Sequence, residues 1–265
     1  MNTQNGTAIG VDPAGRWMYR VAGICAILLV VGYLVTFPVY GWAGNPPASG
    51  VEEQLAFFSE HAAGWWAIAL LMVVTDLLLV PIFVGIYMAL KHVNKGLMLV
   101  ALAFKALLFV ILDLAVTWTA FSALILAGSD YGAATSEAQR AALVTAAAYP
   151  SAMLANPFFK MYGNVIPALG VMFAGVVMLR GVFSRPTAYL ALAMGLVGIL
   201  YLGSLFIDGL GVLAIVNAVV ATLFYLLVGI RLYKLGAAVQ QPGRRDQREW
   251  RDGRYQWPLP TTSTG

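Results

Sequence analysis

Apolar positions fall in six long stretches, near 17–40, 64–90, 96–127, 160–180, 187–207 and 211–235, separated by polar turns or longer polar segments. Each is long enough to cross a hydrocarbon core of about 30 Å, which takes roughly 20 helical residues. None alternates with a two-residue period, and backbone groups cannot go unpaired in hydrocarbon, so helices are predicted rather than a barrel. The fold class that follows is all-α: a polytopic integral membrane helix bundle with six transmembrane helices. Arg16 and Arg20 before the first stretch resemble the start of a signal peptide. The run continues through Phe37 and Tyr40 with no small-x-small cleavage site, so it is read as a retained span.

Two polar segments between spans carry helix signals of their own. In 41–63, Asn45-Pro46-Pro47 is followed by Ser49 and Glu52 in a capping-box spacing. Val51, Leu55 and Phe58 then share one face, with Glu52, Glu53 and Glu60 elsewhere, which predicts an interfacial helix on the outer leaflet. Trp65 and Trp66 are expected at headgroup level. In 128–159, Ser136 and Gln139 are placed to cap a helix running to Tyr149, limited by Pro150, with a second break at Asn156-Pro157. Segments of this length serve as lids, plugs or docking surfaces, or simply cover the bundle. Three parts are expected: a disordered 1–15, the membrane domain 16–235, and a basic cytoplasmic tail 236–265.

Composition sharpens the picture. The 265 residues are 60% hydrophobic and 11% charged, against about 25% charged in soluble domains. The net charge of +4 is a topology signal rather than a nucleic-acid footprint. Arg16, Arg20, Lys91, Lys95, Arg180, Arg185, Arg231, Lys234, Arg244, Arg245, Arg248, Arg251 and Arg254 all fall on one side of the six-span alternation, and only Arg140 and Lys160 on the other. By the positive-inside rule both termini are cytoplasmic, and the location expected is the bacterial cytoplasmic (inner) membrane. In the tail, Trp250, Tyr255 and Trp257 lie among the arginines, a composition suited to anionic lipid headgroups at about 1 kcal/mol per basic residue. Asp246, Glu249 and Asp252 dilute the field, and no nucleic-acid partner is expected. The partners expected are the bilayer, those headgroups, and a homodimer or protein complex. Cys25 is the single cysteine, so no intramolecular disulfide forms.

Asp76, Lys105 and Asp113 lie inside apolar stretches, where each costs about 2.5–3.5 kcal/mol on insertion scales unless it faces the bundle interior. The turn between the second and third spans centres near Val93, which sets Asp76 opposite about residue 110. In height Asp76 then lies about 7 Å from Lys105 and about 5 Å from Asp113, while those two are separated by about 80° around their helix. An Asp–Lys–Asp cluster is therefore expected. It carries −1 when all three ionise and is neutral when one aspartate holds a proton. Thr117, one turn beyond Asp113, with Asn164 and Asn217 in later spans, would extend the cluster into a polar pocket. Pro81 frees the carbonyl of Leu77 and predicts a kink beside Asp76. Two readings stand: an ion pair with interhelical amides that fixes helix register, or a proton-handling site.

Other motifs carry no chemistry. His61 and His92 fall at opposite faces of the membrane and cannot share a metal or haem. Gly209-Leu210-Gly211-Val212-Leu213-Ala214 matches a dinucleotide fingerprint by letter but lies in a turn between spans, not after a strand. No catalytic set, cofactor site or metal site is expected. Ala191 with Gly195, and Ala214 with Ala218 and Thr222, form small-residue faces for helix packing or dimerisation.

Tyr19-Arg20-Val21-Ala22-Gly23, and the run from Thr75-Asp76-Leu77 through Tyr87-Met88-Ala89-Leu90 to Phe104-Lys105-Ala106, resemble the bacterial six-span family called domain of unknown function 4386. Arg185-Pro186, Gly195, Gly198 and Tyr201 resemble its later proline, glycine and tyrosine pattern, so the likeness spans roughly 17–235. The resemblance implies an acidic residue in the second span, matched by Asp76, and a basic one in the third, where Lys105 stands in place of that family's usual arginine. It implies a fold and no activity. The role expected first is non-catalytic, as an accessory subunit or in membrane and envelope maintenance. The alternatives are a small proton-coupled transporter or carrier using Asp76, Lys105 and Asp113, and an intramembrane enzyme.

Overall fold

Asn94 turns the longest helix back on itself. The computed structural model describes residues 15–48 and 50–238, and among them every regular element is helical. In chain order these are α1 (Arg16–Ala43), α2 (Val51–Ala133), α3 (Glu137–Ala155), α4 (Pro157–Met178), α5 (Arg185–Leu205) and α6 (Gly209–Ala237). Five of them, all but α3, are long and apolar enough to cross a membrane. The 83 residues of α2 contain one non-helical residue inside the stretch 51–102, Asn94 (φ −155°, ψ 94°). Its side-chain oxygen accepts the N–H of Leu97 at 3.0 Å, the interaction that caps a new helix N-terminus. The two limbs, α2a (51–93) and α2b (95–133), then run antiparallel, with Phe58 beside Gly128, Ser59 beside Gly132 and Asp76 beside Trp118. The predicted second and third spans are these limbs, joined by one turning residue.

The helices close into a ring in chain order: α1 on α2a, α2b on α4, α4 on α5, α5 on α6, and α6 back on α1. Small residues bring the axes close, which is how membrane helices gain packing energy without a hydrophobic drive between them. A Cβ on Gly23 of α1 would meet the Gly229 carbonyl of α6 at 2.9 Å, and one on Gly175 of α4 would meet Ala191 of α5 at 2.9 Å. The expected small-residue face Ala191–Gly195 is thus spent within the chain, against α4. Ala214 and Ala218 instead face a central cavity.

Large apolar side chains such as Leu34, Leu70, Ile111, Leu126, Leu196 and Ile215 project outward from the ring, as a lipid-facing surface requires. One end of the bundle gathers Arg16, Arg20, Lys91, Lys95, Arg180, Arg185, Arg231 and Lys234. That end is tied by Tyr19 Oη donating to the Met88 carbonyl at 3.2 Å and Arg231 Nε donating to the Val182 carbonyl at 2.8 Å. At the opposite end Tyr131 Oη donates to Glu52 at 2.8 Å, and Arg140 of α3 lies over the Tyr131 ring.

Several expectations are revised. Residues 51–63 form no separate interfacial helix: α2a starts at Val51 and continues unbroken into the apolar stretch. The predicted apolar face is real, but Leu55 and Phe58 bury it against α2b rather than lipid. Trp65 is 2% exposed and stacks on Phe121, so Trp66 alone of the pair projects outward. Ser136 caps α3 as expected, accepting the Gln139 N–H, but α3 runs through Pro150 to Ala155. Asn156 then caps α4, accepting the Phe158 N–H. Pro81 lies inside α2a, where its missing N–H leaves the Leu77 carbonyl without that bond. The Ser49 cap, the segment 1–14 and the tail from 239 lie outside the described residues.

Candidate functional site

Three π-helical turns, where the helix carries about one extra residue, mark the interior of the bundle: Ala103–Leu108 and Asp113–Trp118 in α2b, and Met161–Val165 in α4. Such turns occur mostly as single insertions and often at functional sites. Here they hold Lys105, Asp113 with Thr117 and Trp118, and Tyr162 with Asn164. The effect on geometry is direct. In a regular α-helix residues five apart diverge by about 140°, whereas the π-turn sets Trp118 over Asp113.

Trp118 Nε1 lies 3.2 Å from Asp113 Oδ2 and 3.2 Å from Asp76 Oδ2, so one indole N–H is shared between carboxyls from the two limbs. The shared N–H brings the two carboxyls together from opposite limbs. Two carboxylates drawn into one buried site repel each other, and one proton between them removes that repulsion. Asp76, Asp113 and Trp118 are all buried. Thr117, on the same turn, pairs its hydroxyl with Tyr162 of α4 at 3.3 Å.

Lys105 is 4% exposed, and its ammonium rests 4.5 Å from the centroid of the Phe109 ring, a cation–π contact. Both carboxylates act on it electrostatically. Its backbone is pressed by α4: a Cβ on Gly170 would lie 2.8 Å from the Lys105 nitrogen. On its other side Lys105 lines a cavity of about 520 Å³, walled by Tyr33, Phe37 and Tyr40 of α1, Met72 of α2a, Phe109, Asn164 of α4, Met194 of α5 and Asn217 of α6. Cavities of this size hold small organic ligands. The side-chain oxygen of Asn217 is buried with no hydrogen-bond partner, as is the hydroxyl of Tyr225, whose ring packs edge-on to Tyr33.

The six residues expected to form one cluster therefore separate into two neighbouring groups. Asp76 and Asp113 form a carboxyl pair clamped by Trp118, with Thr117 beside it. Lys105, Asn164 and Asn217 line the cavity, with Lys105 as the link. Trp118, Tyr33 and Tyr162 were not singled out from sequence. Trp118 stands five residues from Asp113, a spacing that points away from it on a regular helix. The arrangement is a helical bundle, five of its helices long and apolar enough to cross a membrane, around a largely apolar, aromatic-lined cavity that Lys105 reaches. Compared with protein-family models, curated proteins and solved structures, the chain matches none.

Proposed function

We propose that this is a six-span protein of the bacterial cytoplasmic membrane, with cytoplasmic termini, that works as a small proton-coupled carrier. The observation that carries the reading is the cavity of about 520 Å³ that reaches Lys105 and so comes within electrostatic range of the carboxyl pair. A ligand in that cavity and a proton on that pair would feel each other across Lys105, which is the minimum a coupled carrier needs. Counting the two limbs of α2 separately supports six spans, and the basic pole supports cytoplasmic ends. The resemblance to the six-span family called domain of unknown function 4386 agrees with this architecture and adds no activity.

The accessory or maintenance role is the second reading. It is favoured by the Trp118 clamp, which would suit a fixed register lock between α2a and α2b equally well. Proteoliposomes with a trapped pH dye separate the two. Small organic anions, cations and neutral solutes are presented to wild-type protein and to the Asp76→Asn/Asp113→Asn variant. A carrier moves lumenal pH with at least one solute in the wild type and not in the variant. Identical traces for every solute sink the carrier reading.

A further inference from the structure

Lys105 is a buried side chain on the wall of an aromatic-lined cavity, on the same limb as Asp113. We infer that the cavity takes a small organic monoanion with a flat apolar body, and that each anion bound is matched by one proton entering the Asp76–Asp113 pair from bulk solvent. This rests on the carrier reading for its purpose, though not for its evidence.

The ligand class follows from the lining. Phe109, Tyr33, Phe37 and Tyr40 provide flat apolar walls, and Met72 and Met194 adapt to whatever shape lies between them. The ammonium of Lys105 is a point charge for an acid group. Asn217 has an amide oxygen left without a partner, and rotation of that amide offers a ligand either a donor or an acceptor.

The proton follows from charge balance. Without ligand, the Lys105 cation and a carboxyl pair sharing one proton sum to zero. A monoanion adds −1 in a buried setting, where uncompensated charge is costly. A second proton on the pair restores neutrality, and no other group nearby can supply it. The remaining titratable side chains around the pair are Tyr33 and Tyr40 of α1, Tyr162 of α4 and Tyr225 of α6. Phenols are ordinarily neutral throughout the physiological range. From α5 the cavity wall is Met194, which does not titrate.

The probe is naphthalenesulfonate, flat and permanently ionised, so any proton taken up belongs to the protein. Calorimetry on the detergent-purified full chain is run in two buffers of different ionisation enthalpy, with naphthylmethanol and naphthylmethylammonium as neutral and cationic controls. The sulfonate is expected to bind with uptake of about one proton, and more tightly than either control. In the charge-balanced variant Lys105→Met/Asp76→Asn/Asp113→Asn, sulfonate affinity should fall about tenfold or more, the scale of one hydrogen bond to a charged group. Naphthylmethanol binding should be unchanged, and Lys105→Arg should keep the sulfonate. Should the variant not fold, Asn217→Leu gives the same contrast on the opposite wall. Equal binding of all three probes, no binding at millimolar concentration, or sulfonate binding without proton uptake each overturns the inference. Binding with its proton but no movement across proteoliposomes leaves the inference standing and removes the carrier.

Discussion

The indole of Trp118 donates to Asp113, five residues back on the same limb, and to Asp76 on the opposite limb, at 3.2 Å in both cases. One N–H thus holds two acidic groups that would otherwise have no donor from the indole side. Trp65, in the same apolar core, is the natural comparison: it is equally buried, but its N–H has no partner. Trp118→Phe should lower stability by about 1–3 kcal/mol beyond its packing loss, the cost of leaving buried polar groups short of a donor. Trp65→Phe should cost packing alone. Thermal unfolding in detergent checks both, and equal losses would mean that the shared hydrogen bond contributes nothing.

The charge balance around Lys105 predicts an asymmetric mutant cycle. Asp76→Asn leaves the charges of Lys105 and Asp113 in balance and should cost less than Lys105→Met. Lys105→Met leaves the carboxyls without their cation and should cost about 3–5 kcal/mol. Combining Lys105→Met with removal of both carboxyls, Asp76→Asn/Asp113→Asn, restores neutrality, so the triple variant should be more stable than Lys105→Met alone. The coupling is read as the departure of the triple variant from the sum of its two parts. Additive losses would show that Lys105 and the carboxyl pair do not sense each other.

Much of this architecture is visible in the pattern of apolar residues, because the period and length of a membrane helix leave few alternatives. The reversal near Val93, the facing of Asp76 by Asp113 and the small-residue contacts between α4 and α5 all follow from that regularity. The departures come from local effects that a regular helix cannot represent. The π-turn at Asp113–Trp118 brings into the site a tryptophan whose spacing argues against it. Leu55 and Phe58 have an amphipathic face that suits a lipid surface, and only the proximity of Gly128 shows that a protein surface covers it. Pro150, expected to limit its helix, lies inside α3, which runs on to Ala155. Lys105 is expected beside both aspartates, but its place on the cavity wall depends on five helices closing a ring, and no single stretch encodes that.

Gly170 holds α4 against the π-turn of Lys105, with space for no side-chain atom: an added Cβ would lie 2.8 Å from both the nitrogen and the Cβ of Lys105 and 3.0 Å from the Ala101 carbonyl. Gly170→Ala should push the two helices apart and cost about 1–3 kcal/mol, as over-packing does. Gly163, a neighbouring residue on the cavity wall, meets nothing within 4 Å. Gly163→Ala should be neutral or raise stability by up to about 1 kcal/mol through helix propensity. Unfolding midpoints of the two variants check the contrast. Similar losses at both positions would place the cost in the helix backbone rather than in the contact with Lys105.

The basic pole of the bundle and the six-span count make one joint prediction about sidedness. His92 is exposed beside the reversal at Asn94, and Ala138 is exposed on the first turn of α3 at the other end. With Cys25 replaced by alanine, His92→Cys and Ala138→Cys each offer one thiol. An impermeant maleimide should label Ala138→Cys in intact cells and His92→Cys only after the membrane is opened, since Lys91, Lys95, Arg16, Arg180 and Arg231 all favour the cytoplasm at that end. Labelling of both thiols in intact cells would mean that α2 does not return across the membrane as two full spans. The reverse order of labelling would invert the topology, placing Tyr40 and Ala214, at the end of the cavity away from the basic pole, toward the cytoplasm. Coupling to an inward proton gradient would then require a ligand entering from within.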